Sequence, residues 1–192
     1  CSVRRQRQMC IRDSLYAEDN GIKNNVYLED WSNGMMNSKS YVMDMVQFLS
    51  EKNVDRILLP DTLGVLTPEL TKEFIREMTG NFPNIHFDFH AHNDYDLSVA
   101  NVIESIQNGC NGIHITVNGM GERAGNAPLA SVVAVVNDFL NGYKIDINEK
   151  SLHKVSKLVS NFSGFRIPVN KPIVGDNVFT QTAGIHADGD NK

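Results

Sequence analysis

Cysteine is scarce in this sequence, with three among 192 residues (Cys1, Cys10 and Cys110). That is too few for a disulfide framework, and the spacing matches no metal finger, so a reducing, cytoplasmic setting is expected. No apolar run approaches the roughly 20 residues that span a bilayer, so no membrane partner is expected. Positive charge is in deficit: 18 Lys and Arg face 23 Asp and Glu, a formal charge of −5. A nucleic-acid-binding surface calls for a basic surplus, so no nucleic-acid partner is expected. Low-complexity tracts are missing. What is there, 41% hydrophobic and 21% charged, is the composition of a globular chain long enough to bury a core.

The first stretch, CSVRRQRQMCIRDS (1–14), has no helix or strand period and no apolar segment suited to a secretory signal. It reads as a tail or a cloning scar before it reads as a basic targeting arm, and residues 1–23 are set aside from the fold. From residue 24 the pattern is regular. Four β-prone runs (NNVYLED, DRILLPDT, NIHFDFHAHND and NGIHITVNG) begin near 24, 55, 84 and 111. Each leads to a stretch with helical spacing, so the repeat of about 30 residues is one βα unit and the strands are expected to be parallel.

Within that repeat, WSNGMMNS reads as a loop, with Trp31, Met35 and Met36 as packing residues. The next helix has Tyr41, Val42, Met45, Phe48 and Leu49 at helical spacing. Thr67 and Pro68 read as the N-cap and first turn of a helix. Leu97, Ala100, Ile103 and Ile106 are the expected inward face of the next. A last helix, INEKSLHKVSKLVSNFSG, precedes a segment with two prolines and no clear period, which reads as a linker whose end suggests truncation. Two α/β architectures are open, a (β/α)8 barrel and a doubly wound sheet. A full barrel needs about 250 residues, so a barrel here is half of one.

Unusual polar residues recur where each strand stops: Glu29 and Asp30; Asp61 and Thr62; His90, His92, Asn93 and Asp94; Asn118, Glu122, Arg123 and Asn126. Parallel α/β folds carry their catalytic groups on that edge. His90-Ala91-His92 is the sharpest feature, because residues i and i+2 of a strand project to one side and two imidazoles can share a divalent ion. The competing reading is a histidine bonded within the core. His86 and Asp88 have the same parity and, if buried, need polar partners.

NGMGERAGN (118–126) is a glycine-rich loop that lets backbone approach an anionic ligand, or simply a tight turn with Glu122 and Arg123 as a solvated pair. Glu29 is a metal ligand, a proton-transfer group or an exposed loop acid. Thr62 caps a turn or holds a substrate carboxylate, and His186, by itself, is more often structural than catalytic.

Taken together, LPDTLGVLTPE, HAHNDYDLSVAN, TVNGMGERAGNAPL and TAGIHADGD resemble the 2-isopropylmalate synthase family. This is the acyl-CoA condensing branch of the metal-dependent (β/α)8 metallolyases, with homocitrate and citramalate synthases as near relatives. The resemblance covers about residues 24–192. It implies an α/β fold, the C-terminal half of a (β/α)8 TIM barrel with four parallel βα units over 24–164, followed by the start of a linker subdomain over 165–192. It further implies an acyltransferase that joins acetyl-CoA to a 2-oxo acid, 2-oxoisovalerate foremost, in a homodimer of the complete protein.

The resemblance also implies the site. His90, His92 and Asn126 are the metal ligands, for zinc, manganese or magnesium. Thr62 and His90 bind substrate, and Gly121, Glu122, Arg123 and Gly125 lie near acetyl-CoA. Glu29 and His186 are the catalytic groups, with His186 reaching a partner subunit. The family's remaining ligand, an aspartate beside an arginine on its first strand, has no counterpart in a strand here, and Arg12-Asp13 does not supply it. Lyases of the same fold carry a cysteine in the glycine-rich loop, and 118–126 has none, which favours condensation. An inactive fragment is the remaining alternative for the 192-residue chain.

Overall fold

The computed structural model describes residues 13, 16, 17, 19–52, 54–178 and 180. His186 and, apart from Asp13, the segment 1–14 lie outside the described residues. The chain divides into two compact units, one of residues 1–115 and 121–127, the other of 116–120 and 128–192.

The first unit is built on a four-stranded sheet in the order β1-β2-β3-β4, formed by β1 (Asn25–Tyr27), β2 (Arg56–Asp61), β3 (Phe87–Ala91) and β4 (Gly112–His114). Every neighbouring pair is parallel, in the register Tyr27–Leu58–Asp88–Gly112 and Pro60–His90–His114. Parallel pairing requires crossovers, and helices supply them: α1 (Trp31–Asn37) and α2 (Lys39–Ser50) join β1 to β2, α3 (Pro68–Asn81) joins β2 to β3, and α4 (Ser98–Gln107) joins β3 to β4. The expected βα order is therefore present.

The sheet's two sides differ because side chains alternate. Ile57, Leu59, Phe87, Phe89 and Ala91 are wholly buried. Residues of the opposite parity, Arg56, Leu58, Asp88 and His90, share the other side. Burying each large apolar side chain contributes about 1.5–3 kcal/mol, so the first side anchors the sheet.

Three local expectations are corrected. WSNGMMNS is not a loop; residues 31–37 form α1. Its glycine marks close packing, since a Cβ at Gly34 would stand 2.8 Å from the Val42 side chain. Trp31 and Met35, one turn apart, are buried, and the Trp31 ring meets Phe74 and Phe89 edge-on at 6.2 and 6.4 Å. On α2 the buried residues are Val42, Val46 and Leu49, while Tyr41 is exposed. On α4 the buried face is Ser98, Asn101, Val102 and Ser105, not the stripe from Leu97 to Ile106. The polar members are tolerated because they are bonded: Asn101 donates to the Leu66 carbonyl at 2.8 Å and Ser105 to the Val102 carbonyl at 2.8 Å. Thr67 does cap α3, accepting from the Leu70 amide at 3.2 Å, with Pro68 in the first turn.

The second unit contains α5 (Leu129–Phe139) and α6 (Leu152–Ser163). Ala130, Val133, Leu152 and Val174 form its core, with Leu129, Ile145 and Ile167 against them. Val174 comes from the segment expected to be a linker, so part of that segment packs here. Among the described residues no helix is long and apolar enough to cross a membrane.

Candidate functional site

The carboxyl end of β3 carries His90 and His92 on one side of the strand. Their Nε2 atoms are 3.3 Å apart, and the rings meet at 84° with centroids 4.9 Å apart. Both Nδ1 atoms are buried with no hydrogen-bond partner. Burial first, then the neighbouring His92 and His114, pushes the His90 imidazole down to about 4, so it is neutral at pH 7. Two nitrogens held about 2.1 Å from one zinc-like cation would lie roughly 3.0–3.4 Å apart for angles between octahedral and tetrahedral. The pair fits a divalent cation on that ground, and neutral imidazole is the form that binds one. The same separation suits one Nε2–H donating to the other, and a cation would take that proton's place.

Asn126 meets this pair from the loop after β4. His92 and Asn126 form an isolated antiparallel bridge. The Asn93 amide donates to the Gly125 carbonyl at 2.9 Å, and the Ala127 amide to the Ala91 carbonyl at 3.2 Å. The chain therefore turns back along the end of β3. Gly121 makes that fold possible, because a Cβ there would overlap the Asn126 carboxamide. Gly125 takes a φ of 85° that glycine adopts without strain. Among the described residues no three His, Cys, Asp or Glu side chains gather to hold a metal ion. The end of β3 thus brings together two imidazoles and the backbone of Asn126.

Glu29 and Thr62 meet at the ends of β1 and β2. The Thr62 hydroxyl donates to Glu29 Oε1 at 2.9 Å and accepts from the Asp30 amide at 3.0 Å. Thr62 thus ties the two loops together. Asp61, fully buried, accepts from the Val65 and Leu66 amides at 3.0 and 3.1 Å and shapes the turn beyond it. Burial raises its carboxyl above the usual range despite those donors.

Arg123 is no simple solvated partner of Glu122. Glu122 is exposed and 3.5 Å away, whereas Asp94 takes two hydrogen bonds from Arg123, at 2.8 and 3.0 Å. The same guanidinium donates to the Thr62 carbonyl at 2.6 Å. Hydrogen bonding to Arg123 holds the Asp94 carboxyl below its ordinary value. The glycine-rich loop is thus pinned to the ends of β2 and β3. Asn93 works for the fold: its Oδ1 accepts from both the Ser98 amide and hydroxyl at the start of α4.

Tyr27, His114 and Arg56 have no signal in the sequence. Tyr27 hydroxyl and His114 Nδ1 are 2.9 Å apart, and His114 Nε2 lies 3.3 Å from Asp88 Oδ2. Asp88 also receives His86 Nε2 at 2.8 Å and Arg56 at 3.3 Å. The partners that Asp88 and His86 require are thereby supplied. Only the parallel register, which sets His114 beside His90 and Gly112 beside Asp88, would have pointed to this group.

A family profile described as HMGL-like matches residues 3–159. This chain belongs to the HMGL-like family. It is 38% identical over 174 residues to a homocitrate synthase from Sulfolobus acidocaldarius, spanning 91% of this chain and 36% of that protein. It is 39% identical over 191 residues to a probable 2-isopropylmalate synthase from Ignicoccus hospitalis, spanning 97% of this chain and 47% of that protein. The chain thus spans between about a third and a half of these relatives. In fold, this HMGL-like chain matches the crystal structure of a Bacillus subtilis HMG-CoA lyase with a TM-score of 0.69 at 19% identity, over 79% of this chain and 53% of that one. The parallel sheet with alternating helices is therefore part of a (β/α)8 barrel.

Proposed function

We propose that the complete protein is an acyltransferase that condenses acetyl-CoA with a 2-oxo acid and hydrolyses the thioester product. The observation that carries this reading is the convergence of His90 and His92 Nε2 at 3.3 Å with Asn126 bridged to His92. In this reading the two imidazoles and the Asn126 carboxamide hold a zinc, manganese or magnesium ion. A bound cation supplies Lewis-acid polarisation of the 2-oxo carbonyl.

The chain's own groups do the rest. The Thr62 hydroxyl turns from Glu29 to the substrate carboxylate. Glu29, released, is placed to accept or return a proton. The acetyl methyl group gives up a proton to a base, Glu29 or His186. The methyl carbon then bonds to the carbonyl carbon, whose oxygen takes up a proton. Water cleaves the thioester and CoA leaves. Gly121, Glu122, Arg123 and Gly125 form the surface that meets acetyl-CoA, with Arg123 kept rigid by Asp94. The absence of cysteine from 118–126 supports condensation over cleavage.

We favour 2-oxoisovalerate, which would place the enzyme in leucine biosynthesis. Thiol release by the complete protein, supplied with divalent metal and acetyl-CoA, is compared across 2-oxoisovalerate, pyruvate and 2-oxoglutarate. A clear preference for the first supports this substrate, and a preference for another reassigns it. No CoA release with any of the three overturns the condensing activity.

A further inference from the structure

We propose that Tyr27 and His114 are positioning residues that set the His90 ring at the angle that turns its Nε2 toward His92. The proposal builds on the reading of His90 as a ligand, and it adds what orients that ligand. A ligating histidine is ordinarily oriented by a hydrogen bond from its second ring nitrogen. His90 has no such bond, since its Nδ1 is buried without a partner. Its orientation must come from the rings around it.

Three rings surround it edge-on or nearly so. His92 stands at 4.9 Å and 84°, His114 at 5.7 Å and 69°, and Tyr27 at 6.2 Å and 75°. Tyr27 and His114 come from strands β1 and β4, on opposite edges of the sheet, and yet they are bonded to each other through the 2.9 Å contact between hydroxyl and Nδ1. They form one brace across the open side of the sheet. His114 is anchored at its other nitrogen by Asp88. Asp88 leans toward β4 only because residue 112 is glycine; a Cβ there would overlap its carboxylate. His86 and Arg56 hold the same carboxylate. The brace is thus rooted in a fixed anion and closes on His90 by shape, with no bond to His90 that a ligand would need to break.

The test uses Tyr27→Phe, which keeps the ring and removes the hydroxyl, and His114→Gln, which removes the ring. Long-range proton–nitrogen NMR reads the His90 imidazole in the 192-residue chain, with His90→Gln to assign it. Wild-type His90 is expected as one sharp ring signal. In both variants it should shift and broaden, while the melting temperature of Tyr27→Phe stays within about 2 °C of wild type. Titration with zinc ions should give a roughly tenfold weaker affinity in each variant, within the range for supporting residues. An unchanged His90 signal in both variants overturns the brace. If wild type binds no zinc but Tyr27→Phe still moves the His90 signal, the brace stands and the ligand reading falls.

Discussion

Histidines stand at both ends of strand β3, and they are finished in opposite ways. At the amino end His86 is bonded to Asp88, and Asp88 is shared with His114 and Arg56. At the carboxyl end His90 and His92 face each other with both Nδ1 atoms buried and unpartnered. A buried polar atom without a partner costs about 1–3 kcal/mol. The fold meets that need in one cluster and leaves it open in the other, four residues away. The first cluster is closed by its own partners, and the second carries two buried nitrogens without one.

That contrast is sharpest under substitution. His92→Ala should abolish divalent-metal binding, a larger loss than the roughly 10- to 100-fold typical of supporting residues. Turnover of the complete protein should vanish with it while the fold survives; metal stoichiometry and circular dichroism read the two sides. The resemblance implies a first-strand aspartate and arginine with no counterpart in a strand here, so the 192-residue chain by itself should release little or no CoA in a thiol assay. Gly112→Ala should act at the other end, destabilising by about 1–3 kcal/mol as the added methyl displaces the Asp88 carboxylate. Asp88→Asn should cost about 1–2 kcal/mol, scaled down because its three partners are partly exposed. Urea denaturation measures both. If Asp88→Asn leaves stability untouched, the contrast fails.

Acid should also separate the ends. His90 titrates near 4 when folded against about 6.5 when unfolded. Its contribution to stability is complete above pH 6.5 and falls as pH drops toward 4, because the unfolded chain takes up the proton first. Melting curves across that window should show the decline, and His90→Gln should flatten it. The smallest effect is expected from Arg123→Ala. Its pairing with Asp94 lies at the surface, so stability should barely move, while KM for acetyl-CoA rises because the loop loses its pin.

Much of this was readable from residue order. The parity of His90 and His92, the 30-residue repeat and the Thr67 cap are local properties, and the sheet and α3 follow them. Other features depend on chain segments meeting. Gly34 signals a loop by propensity, but here it admits Val42 at close range. Ser98, Asn101 and Ser105 are polar by type, yet they face inward because carbonyls and Asn93 await them. Tyr27 and His114 lie 87 positions apart, and no periodicity within either strand links them. Asn126 was suggested by family resemblance, and its bridge to His92 depends on a chain reversal that spacing does not encode. His186 lies outside the described residues, so its part in the chemistry rests on resemblance.

The antiparallel bridge at His92 and Asn126 has a mechanical consequence. Residues 92–93 and 125–126 are laced backbone to backbone, so the segment proposed to meet a bulky thioester also carries the carboxamide proposed as a donor. Any outward swing at Gly125 would drag Asn126 along, so in the proposed reading admitting the thioester and loosening the hold on a cation would be a single motion.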